Sequence, residues 1–137
     1  MTYDPLALLD LCNSLCNGLP SVDGETVSRT IISRAYYCAF LYAREFLKLK
    51  RHVKFEGSGV DHGRVEWHLK KDVDRHLGSI IRTLRENRSA ADYDLRNPAV
   101  ANPQDRFHPR LLFFGRKEQQ ECIDLAKYIT NNLAKKH

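Results

Sequence analysis

Arg88 is the residue whose type and place most plainly call for chemistry. It ends a stripe of otherwise apolar residues, Val65, Leu69, Val73, Leu77, Ile80 and Leu84, whose steps of three and four put it on one face of a helix. A guanidinium on a core-facing stripe is costly unless it is paired, or unless the stripe opens onto a cleft or a partner subunit there. Asp92 stands one helical turn further on and can pair with it if the helix persists. Two readings stay open: a buried ion pair closing the helix end, or a cation held for an anionic ligand. Tyr93, next in line, is either a core ring with a tied hydroxyl or a member of the same group. His62, beside Gly63 at a helix start, is either a capping or surface residue or, if folding sets it next to Arg88, a base that works near neutral pH.

A second candidate is the basic run of Lys48, Lys50, Arg51 and Lys54. Positive charge complements the negative end of a helix, so a solvated last turn explains the run; a phosphate-contacting patch is the sharper reading. Metal chemistry finds little footing. Cys12 and Cys16 share a helix face, but no His lies near them in sequence, and His68 and His76 are too far apart to chelate one ion from a single turn. With no glycine-rich phosphate loop, nucleophile elbow or ligand triad, neither a metal nor a cofactor is expected.

The elements that must position these residues read as helices. Asp4 and Pro5 start the first, which runs to about Cys16 and stops at Asn17-Gly18-Leu19-Pro20. A second begins around Asp23-Gly24-Glu25 and continues to about Lys50. Its stripe through Val27, Ile31, Ala35, Cys38, Tyr42, Phe46 and Leu49, with small residues beside large rings, makes it the hub of the core. Gly57-Ser58-Gly59 is a loop, and a third helix from near Asp61 carries the Arg88 stripe and breaks near Asn97-Pro98. Residues 96–110 have no period and form an irregular excursion. A last helix runs from Leu112 or Gly115 to Leu133. The prediction is an all-α, antiparallel bundle of four principal helices in a single domain spanning residues 1–137.

Composition agrees with a packed globular chain. With 42% hydrophobic and 28% charged residues there is too much apolar content for global disorder, and 137 residues can bury a core without staples. No stretch is long and apolar enough for a bilayer, and the first residues lack the build of a secretory signal, so a cytoplasmic protein that does not enter membranes is expected. Lys and Arg exceed Asp and Glu by 22 to 17, a formal charge of +5 that is compatible with an RNA partner without demanding one.

Two segments resemble a known family. Ser33-Arg34-Ala35-Tyr36-Tyr37-Cys38-Ala39-Phe40 resembles the "SRAYYAxF" helix of HEPN-domain proteins, and the segment from Leu84 to Asp94 is similar to their "LxxxRxxADYD" signature. The branch suggested is the small stand-alone prokaryotic one. The resemblance covers Asp23 to Leu95 and implies a helical bundle that forms a homodimer, with an Arg from each subunit at a shared groove. Many HEPN proteins are metal-independent endoribonucleases in toxin–antitoxin or defence systems, often paired with a nucleotidyltransferase-type antitoxin. Others are non-catalytic partners that bind nucleotides or RNA, or interaction modules that dock a protein.

Cleavage of that kind needs a base for the ribose 2′-OH proton and a cation for the charge growing on phosphate. Arg88 would be the cation, Asp92 and Tyr93 would orient it, and His62 would be the base. Arg85, within the same signature, joins Lys48, Lys50, Arg51 and Lys54 as a candidate nucleic-acid-binding residue. The sequence departs from the family's ribonuclease hallmark, an Arg followed by a His after four to six residues. Tyr93 occupies that slot, and with an unperturbed pKa near ~10 it is a poor base unless a guanidinium lowers it.

Overall fold

The computed structural model describes residues 3–95 and 114–136, and these form an all-α bundle. The irregular excursion expected over 96–110, the break at Asn97-Pro98 and the alternative start of the last helix at Leu112 lie outside the described residues. Among the described residues five α-helices stand where four principal ones were expected: α1 (Leu6–Leu15), α2 (Gly24–Arg51), α3 (Val60–His68), α4 (Arg75–Tyr93) and α5 (Arg116–Ala134).

Local chemistry sets most of the boundaries. The Asp4 carboxylate accepts the Leu6 N–H at 3.0 Å at the start of α1, and Gly18, at φ +84°, turns the chain after its end. Asp23 caps α2 by accepting both the backbone N–H and the hydroxyl of Thr26, at 2.9 and 2.7 Å. At 28 residues α2 is about 42 Å long and touches each of the other four helices, which makes it the hub. Val27, Ile31, Ala35, Cys38 and Phe46 of its stripe are buried. Tyr42 is only half-buried and Leu49 is 64% exposed, because the last turn of α2 stands uncovered.

The expected third helix is two. After α3 the chain makes a π-helical turn, Leu69–Val73, closed by the Asp74 N–H on the Leu69 carbonyl at 2.8 Å. Asp74 is extended, and its carboxylate accepts the His76 N–H at 2.8 Å to cap α4. The two pieces pack closely through Gly78. A β-carbon there would lie 2.2 Å from Lys70 Cγ and 3.1 Å from the Lys70 backbone nitrogen. The break hides in the apolar pattern because Val65, Leu69, Leu77 and Leu84 are buried on both sides of it and keep one phase.

α5 turns Cys122, Ile123, Ala126, Ile129 and Leu133 inward, and all helices share the buried cluster around α2. Its polar ties are matched pairs. The Ser28 hydroxyl donates to Gln119 Oε1 at 2.8 Å, and Asn87 Nδ2 donates to Cys122 Sγ at 3.6 Å. Among the described residues no helix is long and apolar enough to cross a membrane.

Candidate functional site

α4 persists through Tyr93, so Arg88 and Asp92 share a face, and Arg29 fixes the end of that helix against α2. Its guanidinium lies 3.9 Å over the Phe114 ring and donates to the Ala91 carbonyl at 3.0 Å, a carbonyl of the last turn that the helix leaves open. Arg88 Nη1 then stands 3.7 Å from Asp92 Oδ2, an ion pair too long to be a good hydrogen bond. Only 11% of the Arg88 side chain is exposed. Its guanidinium carbon sits 5.4 Å from the Tyr36 ring centre and 5.6 Å from that of Tyr37, within cation–π range of both. Nε of Arg88 is buried and has no hydrogen-bond partner among the described residues.

Asp92 is shared. Ser33 donates to its Oδ2 at 3.3 Å, Arg34 donates to the Ser33 hydroxyl at 3.3 Å, and the Arg34 guanidinium lies 4.9 Å from the Tyr37 ring. A cleft of about 260 Å³ opens beside this group, lined by Arg29, Thr30, Ser33, Arg34 and Asp92 among others.

His62 reaches the same cluster from α3. Its neighbour Asp61 is fully buried and accepts the backbone N–H groups of Glu56 and Gly57 at 2.9 and 2.8 Å, with Arg44 at 3.5 Å. Burial alone would raise the Asp61 pKa, but the two N–H bonds with Arg44 and Arg64 outweigh it and hold the carboxyl below its usual range. The ionised Asp61 thus pins the loop before α3 and aims the next residue at α2. The His62 ring stacks on Phe40 at 4.2 Å, and its Nδ1 is hydrogen bonded to the Tyr36 hydroxyl at 2.5 Å. It does not cap its helix, and its side chain is part-buried. Burial first, then Arg88 and Arg85, push its pKa below the ordinary value of 6.5. Burial likewise pushes the Tyr36 hydroxyl well above the ordinary tyrosine value, against a smaller pull from the same two arginines. Arg85 passes close over α3, where a β-carbon at Gly63 would lie 3.9 Å from its Nη1.

The fold therefore gathers Arg88, Asp92, His62 and Arg85. Tyr93 does not join them. Its side chain is 67% exposed and takes no part in these contacts. The basic run also stands apart, since Lys48 lies twelve residues beyond Tyr36 on α2, about 18 Å along the axis. Lys48 pairs with Glu45 at 3.5 Å, Arg51 donates to the Lys50 carbonyl at 3.2 Å, and Lys50 and Lys54 are exposed. These contacts fit a solvated helix terminus, and the exposure of Lys50 and Lys54 is equally what a phosphate-contacting patch needs.

Tyr36, Tyr37, Phe40 and Ser33 complete the site and were not among the candidates. Their signal was available, because all four lie on the hub helix within the family-like segment Ser33 to Phe40. The cysteines stay outside. Cys12 donates to the Ile31 carbonyl at 3.5 Å and Cys16 to the Cys12 carbonyl at 3.2 Å, and burial pushes the Cys12 thiol up to about 12. Among the described residues no group of three His, Cys, Asp or Glu side chains is placed to hold a metal. No protein-family model, curated protein or solved structure matches the chain.

Proposed function

We propose that this chain is a HEPN-like protein that binds RNA or a nucleotide by its phosphate, through Arg88, Arg85 and His62. The observation that carries the reading is Arg88 Nε, a charged donor that is buried and has no acceptor among the described residues. Leaving such a group unsatisfied is expensive, and a phosphate oxygen is the acceptor that suits a guanidinium best. The two family-like segments support the same reading, since Ser33, Tyr36 and Tyr37 of one meet Arg88 and Asp92 of the other across the α2–α4 seam. In this reading two subunits bring their Arg88 side chains to a common groove. The setting is a cytoplasmic toxin–antitoxin or defence system with a nucleotidyltransferase-type partner.

A second reading, an interaction module that docks a protein, draws on α3, whose outer face leaves Val60 58% and Trp67 53% exposed. Fluorescence anisotropy with a 5′-phosphorylated single-stranded oligoribonucleotide, in EDTA, separates the two. Phosphate contact predicts that log affinity falls with log salt by about 0.7 per phosphate held. Arg88→Ala is expected to weaken binding about 10- to 100-fold, as hydrogen bonds to a charged group contribute roughly 1.5–3 kcal/mol. Binding that ignores both salt and Arg88→Ala removes the phosphate site and leaves the docking module.

A further inference from the structure

The hydrogen bond between Tyr36 and His62 decides what the histidine can do. Tyr36 is 1% exposed, and its hydroxyl carries one hydrogen that must find an acceptor. Among the described residues its hydrogen-bond partner is His62 Nδ1. If Nδ1 carried the ring proton and donated, the phenolic hydrogen would have no acceptor among the described residues. The opposite arrangement satisfies both groups at once.

A protonated ring fares no better. It would set Nδ1–H against the phenolic O–H, and would add a positive charge among Arg44 on α2 and Arg85 and Arg88 on α4. Asp61 on α3 is the acid that favours that charge, and its oxygens already receive the Glu56 and Gly57 N–H groups and Arg44. Tyr37 and Phe40 present ring surface to the imidazole, and Glu66 faces Tyr36.

We infer that Tyr36 is a positioning residue: it donates to Nδ1, keeps the single proton of a neutral His62 on Nε2, and so makes this histidine a hydrogen-bond donor instead of a base. As far as a ligand is concerned, the inference rests on the phosphate-binding reading above. Arg85, Arg88 and His62 Nε2–H then offer donors to an anion, beside the Asp92 carboxylate that pairs with Arg88. His62 cannot take a ribose 2′-OH proton, because Nε2 is already protonated and the lone pair on Nδ1 is taken by Tyr36. The histidine serves phosphate binding and not RNA cleavage.

Long-range proton–nitrogen NMR of the ¹⁵N-labelled full chain at neutral pH reads the tautomer directly. The wild type is expected to show His62 with a protonated Nε2 and a bare Nδ1. In Tyr36→Phe the lock is gone, so a protonated Nδ1 population appears and the ring titrates at higher pH. A wild-type ring protonated on Nδ1 overturns the inference without reference to any variant, as does a Tyr36→Phe ring that behaves like the wild type. Adding the 5′-phosphorylated oligoribonucleotide separates the two proposals. A tautomer as assigned, with no response to the oligonucleotide, sinks the binding reading and leaves the Tyr36 role standing. Cleavage of the oligonucleotide that His62→Gln abolishes sinks the Tyr36 role and leaves the binding reading standing.

Discussion

Two polar seams run off the same helix and are finished differently. Toward α5, α2 sets Ser28 against Gln119, and α4 sets Asn87 against Cys122; each pair is buried and hydrogen bonded. Toward α3 and α4, α2 sets Tyr36 and Tyr37 against His62 and Arg88, and there a guanidinium is 11% exposed with one nitrogen unpaired among the described residues. Burying a polar group without a partner costs about 1–3 kcal/mol, more for a charge, so the second seam is held at a cost the first avoids. The seam toward α5 is built for stability; the one toward α4 keeps a donor in reserve.

Substitutions can break or sharpen that contrast. The largest expected effect is on the finished seam: Ile129→Ala, at a site with no exposure, should cost about 2–5 kcal/mol in chemical denaturation while phosphate binding by the folded protein is unchanged. Ser28→Ala, which strands the Gln119 carbonyl oxygen, should cost about 1–3 kcal/mol, read as a lower melting temperature by roughly 4 °C per kcal/mol.

The smallest effect is a pH dependence at the other seam. The His62 pKa is lowered on folding, so the unfolded chain takes up a proton first as the pH falls. Stability is therefore flat above about pH 6.5 with respect to this group, and declines from there down to the folded pKa. Melting curves across that window should show the decline in wild type and a shallower one in His62→Gln. Equal slopes would mean that the ring is no harder to protonate in the fold than out of it.

Much of the fold was legible because helix formation is local. Asp4, Asp23 and Gly18 mark their helix ends as their side chains and backbone require, and the α2 stripe is buried at Val27, Ile31, Ala35, Cys38 and Phe46. The break before α4 was not, since Leu69 and Leu77 are both buried and disguise the Asp74 cap as one more polar position. The site divides in the same way. Arg88 with Asp92 is a one-turn relation within one helix and could be read directly. His62 with Tyr36 spans 26 residues, and Asp61, whose bonds to the preceding loop aim His62, has no signature in a linear chain. Tyr93 was singled out for its slot in the resemblance and the basic run for its charge; Tyr93, Lys50 and Lys54 stand exposed, apart from the Arg88 cluster.

Replacing Arg88 by Met tests the contrast most directly, with melting temperature and anisotropy binding measured on the same preparation. A side chain of similar bulk and no charge removes the unpaired donor; the Asp92 carboxylate it leaves behind is 27% exposed and keeps the Ser33 hydrogen bond, so water takes the place of the guanidinium. The account predicts stability within about 1 kcal/mol of wild type, together with loss of salt-sensitive binding to the 5′-phosphorylated oligoribonucleotide. A protein that melts as early as Ser28→Ala and still binds as wild type would show that Arg88 is a structural ion pair and that the reserve donor serves no ligand.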